Sequence, residues 1–399
     1  MDKRVNLIDG LRGFSLIGIL IANMLIFQYG MFGKEKLDNF HLFSGDQVAY
    51  VWIKIFVESS FIPIFMFLFG YSMIKLKEKL ELNGGNVKRH FARRFFLLMV
   101  FGLLHSLFVW EGDILLSYGL SGFLMLLFIN RKKQTILVWT FFLLVLTSPL
   151  GYVEIQQTAE ELKTQNNYLQ KESTIYATGN YGEIFEFRTS DEDPFGLPDY
   201  MYLIILLLTP LAIMPLFLFG MYAAKNAWFT QPKQERSMYI RYASLFLPIG
   251  LFLKTFPYLF DFPNWEGVAL GLGAPFLSIG YIFMFAIFYT KESRPILQLF
   301  ANVGRLSLTN YLLQSIICTT IFYGYGMGLF GKAGVLNGLI LALFIYGLQV
   351  VFSHYYLKLF KTGPFEKLIR IGTYWSWTAT PRQKEKIIDQ VVINDSISS

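Results

Sequence analysis

The 399-residue sequence has one cysteine, Cys318, and four histidines. A single thiol excludes an internal disulfide and any cysteine-built metal site. Charge is scarce: 16% of residues are charged, against 54% hydrophobic and 18% aromatic, which excludes an ordinary soluble protein of this length. Also missing are a phosphate-binding P-loop, a His-Glu-x-x-His metal motif and a nucleophile elbow. An ATP-driven pump would therefore need a nucleotide domain from elsewhere. No internal repeat is evident, so a transporter built from clear sequence repeats is not indicated.

What is present is a series of long apolar runs, at about 11–29, 50–74, 94–110, 113–130, 135–153, 200–224, 239–260, 267–290, 306–329 and 334–357. A bilayer core of roughly 30 Å takes about 20 apolar residues per helical crossing. The expected fold is an all-α, polytopic membrane bundle of about ten transmembrane helices within residues 1–360. The first run lacks a cleavage site and is expected to be a retained helix rather than a signal peptide.

A formal charge of +7 raises the question of nucleic acid, but the positive residues fall in alternate loops. With the N-terminus inside, 27 of the 35 basic residues are cytoplasmic, six lie outside, and Lys54 and Lys254 fall within spans. The charge is thus topogenic, with both termini cytoplasmic in a plasma membrane, and no nucleic-acid partner is expected. Aromatic-rich helices would permit a homo-oligomer. The segment at about 154–199 is acidic, with a polar helix expected early, an irregular cover later and a break at Pro194–Pro198. It is either a lid over an outward cavity or a spacer. The basic tail, 361–399, is expected to begin with an interfacial helix carrying Trp375 and Trp377.

Polar residues inside apolar runs are the best pointers to function. Asp9, Arg12 and Asn23 share one face of the first helix, as an interface anchor or as part of a phosphate site. His105 lies roughly 7 Å below the end of its helix at about 1.5 Å per residue, followed across a tight turn by Glu111 and Asp113. The pair is either a helix-bridging imidazole with an N-cap, or a general base oriented by a carboxylate. Ser307, Asn310, Gln314 and Cys318 form a stripe that either joins helices or lines a channel. Lys54 and Glu58, spaced i, i+4, are expected to neutralise each other.

Five blocks carry a family resemblance: Ile8-Asp9-Gly10-Leu11-Arg12-Gly13-Phe14 with Asn23; Phe67-Leu68-Phe69-Gly70; Gly102-Leu103-Leu104-His105 with Trp110-Glu111-Gly112-Asp113; Gly304 to Gln314; and Gly363-Pro364-Phe365-Glu366. The sequence resembles the YeiB family of bacterial membrane proteins, grouped with a transmembrane acyltransferase superfamily that includes heparan-alpha-glucosaminide N-acetyltransferase. The resemblance implies transfer of an acyl group from cytoplasmic acyl-CoA or acetyl-CoA to a lipid or small-molecule acceptor at the outer face, without a metal. Under it, Arg12, Arg93, Arg94 and Arg305 would hold the coenzyme's phosphates. The pantetheine arm would pass Asn23, Asn310 and Gln314, and His105 would activate the acceptor, oriented by Asp113, with His41 as the fallback base. The rival readings are a transporter or exporter of a lipid or small metabolite through the same cavity, and a non-enzymatic membrane sensor.

Overall fold

A computed structural model describes residues 6–152, 158–190, 192, 194, 199–290 and 295–378. Lys3, Arg4, Lys291, Arg294, the expected break after Pro194 and the tail beyond Thr378 lie outside the described residues. Within them the chain is α-helical with no strand. In order come α1 (Asn6–Tyr29), α2 (Asp46–Phe56), α3 (Ile62–Leu82), α4 (Val87–Phe108), α5 (Leu115–Met125), α6 (Lys133–Thr147), α7 (Ala159–Thr178) and α8 (Tyr181–Thr189). They are followed by α9 (Asp199–Lys225), α10 (Arg236–Leu259), α11 (Pro263–Phe288), α12 (Pro295–Arg305), α13 (Ser307–Phe322), α14 (Val335–Leu359) and α15 (Pro364–Tyr374). Among the described residues, α1, α4, α9, α10, α11 and α14 are long and apolar enough to cross a bilayer, which makes this a multi-pass membrane bundle.

The helix α1 is the axis of the bundle and touches α3, α12, α13 and α14. It is buried on most sides, as an all-round apolar helix must be. Glycine sets how closely its neighbours approach. A side chain at Gly13 would strike the Phe300 backbone, and one at Gly304 the Asp9 carbonyl, so α1 and α12 meet backbone to backbone. The α3–α9 crossing repeats the device reciprocally, with Gly70 on the Phe217 carbonyl and Gly220 on the Phe67 carbonyl. Small residues at crossings are how helices gain dispersion contact in lipid.

Among the departures from the sequence expectation are the second apolar run and the acidic segment. The run at 50–74 is two helices: α2 ends at Phe56, and Ser59 sits in the left-handed region at φ 59° before α3 starts with Pro63 in its first turn. The later half of the acidic segment is helical rather than irregular. Capping boxes at Thr158/Glu161 and Asn180/Glu183 start α7 and α8 by satisfying their first free N–H groups.

Candidate functional site

Phe91, Phe95, Leu98, Gly102 and His105 form the buried stripe of α4, while Phe96, Val100, Leu103, Leu104 and Leu107 face outward. Helical periodicity thus turns His105 into the bundle, where it is 4% exposed. Its Nδ1 lies 2.9 Å from Asp113 Oδ1. The second Asp113 oxygen accepts the Leu116 N–H at 3.0 Å, in the first turn of α5, so the carboxylate is held from both sides and favoured by the helix terminus. Gly102 makes room for it, because a Cβ there would lie 2.7 Å from Asp113 Oδ2. His105 Nε2 is buried and has no hydrogen-bond partner among the described residues. Such atoms recur among the described residues, at Tyr29, Trp110 and Ser121 for example; what sets this one apart is that it belongs to an acid–base side chain whose other nitrogen is held by a carboxylate.

Beside this pair stands Tyr311 of α13, its ring centroid 5.6 Å from the imidazole and its hydroxyl accepting the Ile114 N–H at 3.3 Å. Tyr311 and Ile114 also close one end of a cavity of about 190 Å³ that runs between α1, α3, α4, α5, α13 and α15. At its other end, toward the N-terminus of α1, the cavity carries Arg12, Arg94, Arg305 and Arg370. Arg12 is paired with Asp9 at 2.8 Å and donates to Ser72 Oγ, and Arg305 donates to the Lys361 carbonyl at 3.2 Å. The single acid in the lining, Glu366, caps α13: it accepts the N–H groups of Leu308 (2.8 Å) and Thr309 (3.1 Å) and the Thr309 hydroxyl (2.6 Å). Four guanidinium groups stand against two carboxylates, Glu366 in the lining and Asp9 on Arg12, which leaves that end net positive.

The structure therefore brings Arg12, Arg94 and Arg305 together, and joins them through Tyr311 to His105 and Asp113. Other expected site residues go elsewhere. Arg93 is not in the lining; its guanidinium lies 5.2 Å over the Trp375 ring. Asn310 donates to the Val303 carbonyl and Ser353 Oγ (3.0 Å), Gln314 to Gln349 Oε1 (2.8 Å), and Gln349 back to the Asn310 carbonyl (2.8 Å). That network ties α13 to α14. Asn23 is buried on α1 and also outside the cavity. His41 is exposed, edge-on to Phe43. Arg370 and Tyr311 were not expected. Tyr311 stands i, i+4 from Ser307 within a quoted block, whereas Arg370 lies in the tail helix, which packs on α4 and α13.

The acidic segment covers the His105 hairpin. Tyr181 donates to the Phe108 carbonyl at 2.7 Å and Arg188 to the Leu107 carbonyl at 3.2 Å, supplying the last carbonyls of α4. Glu111 accepts from Tyr176 (3.1 Å) and Arg188 (3.4 Å). Nearby, burial first and then the Glu111 charge push the Glu172 carboxyl up to about 8.

These features define a multi-pass helical membrane protein with a cavity that carries four arginines and, behind its Tyr311 wall and outside its lining, a buried His–Asp pair. Residues 223–376 match a family described as protein of unknown function (DUF418). The chain is 34% identical to the uncharacterized protein YxaH of Bacillus subtilis (strain 168), over 94% of this chain and 96% of the relative. It is 26% identical to the uncharacterized protein YeiB of Escherichia coli (strain K12), over 93% and 96%. The chain belongs to this YeiB-like family. No solved structure matches it.

Proposed function

We propose that the protein is an acyltransferase of the cell membrane that takes an acyl group from acyl-CoA on the cytoplasmic side and passes it to an acceptor reaching His105 from the other side. The observation that carries this reading is the arginine-lined cavity that ends at Tyr311, against the His105–Asp113 pair. The bias of basic residues toward the arginine end supports reading that end as the cytoplasmic one.

The donor set fits a polyphosphate ester, since guanidinium groups bind phosphate oxygens in pairs. At about 190 Å³ the cavity is smaller than the roughly 300–1,000 Å³ of sites that enclose drug-sized ligands. It suits a slender arm, with the nucleotide lying across the arginine mouth. Coenzyme A supplies a thioester, already activated toward acyl transfer. Asp113 keeps a proton on His105 Nδ1, which leaves Nε2 as the acceptor atom. That nitrogen takes the proton of an acceptor O–H or N–H as its heteroatom bonds the acyl carbon; the C–S bond breaks and the thiolate leaves, to be protonated in turn. Tyr311 and the buried α4 stripe exclude water that would otherwise hydrolyse the donor.

The decisive experiment is acyl transfer by the purified protein with acetyl-CoA and a mixed lipid acceptor pool. His105→Ala should lower turnover by about 10²–10⁴-fold at unchanged expression and melting temperature. Turnover at the wild-type rate would sink the assignment. Coenzyme A thioesters should also raise the melting temperature; stabilisation by an unmodified solute alone would favour a carrier.

A further inference from the structure

A second cavity, of about 820 Å³, opens at the opposite end of the bundle among α2, α3, α6, α9, α10 and α11. It is organised around the break between α2 and α3. With the helix interrupted, backbone carbonyls lose their helical donors inside an apolar run, and each must find another. The Phe56 carbonyl accepts from Tyr281 Oη at 2.9 Å, the Ser60 carbonyl from Ser278 Oγ, and the Glu58 carbonyl from Lys254 Nζ at 3.1 Å. Three donors from α10 and α11 thus hold open a kink whose Ser59 has the left-handed φ of 59°, a conformation that costs a serine energy and is kept where surrounding structure enforces it.

The charges above this kink close on themselves. Glu58 is bridged by Lys34 and, at 2.7 Å, by Lys54; Glu35 meets the same two lysines at 3.4 and 2.8 Å. Two acids and two bases make a neutral ring. Lys254 stands outside it: 3% exposed, with no carboxylate at ion-pair distance among the described residues, and with one hydrogen bond for an ammonium that has three donors. The wall beyond the ring is mostly apolar, with Met66, Leu144, Leu216 and Pro275 among its members, and carries one further acid, Glu266 of α11. A buried ammonium with no carboxylate within ion-pair distance among the described residues, beside an open and mostly apolar cavity, can take an anion with an apolar body as its direct partner. Interrupted helices at membrane depth are also where such ligands bind.

We propose that this cavity binds an amphiphile with one negative charge, its head on Lys254 at the α2–α3 break and its apolar part along α9 and α11. A phospholipid with a net charge of −1 and a free fatty acid share this chemistry. The volume lies within the range of ligand sites.

The test is thermal unfolding of the purified full-length protein in a neutral maltoside, with added dioleoylphosphatidylglycerol, oleate, dioleoylphosphatidylcholine or inorganic phosphate. One or both anionic amphiphiles should raise the midpoint by at least about 3 °C; the one that does identifies the source. Lys254→Met should abolish the rise and Lys254→Arg retain it. Gly271→Phe provides a second route should Lys254→Met fail to fold: a Cβ at Gly271 meets nothing within 4 Å, so the ring can occupy the cavity and block the response. His105→Ala should keep the full response, which separates this result from the acyl-transfer assay. Equal shifts with phosphatidylcholine, a shift with phosphate alone, no shift with either anionic amphiphile, or a full response in both Lys254→Met and Gly271→Phe would each overturn the proposal.

Discussion

His105 Nδ1 and Asp113 Oδ1 face each other at 2.9 Å across the α4–α5 turn, and both side chains are almost wholly shielded from solvent. The carboxylate does two jobs, since its other oxygen also caps α5. Asp113→Asn separates them. An amide oxygen can still accept the Leu116 N–H, so the melting temperature should stay within a few degrees of wild type. What changes is the imidazole: facing an uncharged amide, it loses both its fixed tautomer and the charge that stabilises its protonated form. Acyl transfer should drop by about 10²–10⁴-fold. A variant that folds and turns over normally would make Asp113 a cap and nothing more.

The arginine end offers a contrast between two residues of one type. Arg370 lines the cavity, whereas Arg93 lies over Trp375. Arg370→Ala should weaken coenzyme A binding by roughly tenfold, equal to about 1.4 kcal/mol, and reduce its salt dependence. Arg93→Ala should leave affinity unchanged, with a stability loss of about 0.5–1 kcal/mol from the cation–π contact. Isothermal titration of both variants with coenzyme A at two salt concentrations decides it. Equal losses would mean that the two arginines contribute only bulk charge.

How much of this was legible beforehand follows from which interactions are local. The inward turn of His105 follows from the Phe91, Phe95, Leu98 and Gly102 stripe, and Asp113 is eight residues away, so the sequence carries the pair. Asn310 and Gln314 show the limit of such patterns. A polar stripe looks alike whether it lines a channel or faces another helix, and its partner Gln349 is 35 residues from Gln314. Arg370 was hidden for a related reason: an amphipathic tail helix shows that one face is covered, not by what. The break at Ser59 has only Ser59-Ser60 and Pro63 as local signal. Its cause is tertiary, residing in Lys254, Ser278 and Tyr281.

The reciprocal glycines of α3 and α9 make a stability prediction that is independent of function. Gly70 and Gly220 each leave no room for a side chain against the other helix's backbone, and backbone cannot move aside as a flexible side chain can. Gly70→Ala and Gly220→Ala should each cost about 1–3 kcal/mol, seen as a lower melting temperature in detergent. Gly271→Ala, with open space at its Cβ, serves as the tolerated control. An unchanged midpoint for both crossing variants would mean that the two helices are further apart than described.

Glu172 gives the covering segment a pH dependence whose sign can be worked out. Its carboxyl is buried on α7 against the Gly30 turn, close to the Glu111 carboxylate, which is itself tied to Arg188 and Tyr176. Burial and Glu111 raise it from an ordinary 4.5 to about 8. A raised acid holds its proton in the folded state at pH values where the unfolded chain has lost it. The folded state then binds more protons, and stability falls as pH climbs from about 4.5 to about 8. Below 4.5 both states are protonated and this penalty vanishes; above 8 it is complete. Amide exchange in α7 and α8 should therefore accelerate between pH 5 and pH 8.5, after correction for the intrinsic chemistry of exchange, while α1 stays protected. Glu172→Gln, neutral at every pH, should flatten that profile and leave the segment docked at pH 8.5. A wild-type profile that is already flat would show that Glu172 is ionised in place, with a cation or water reaching it beneath the cover.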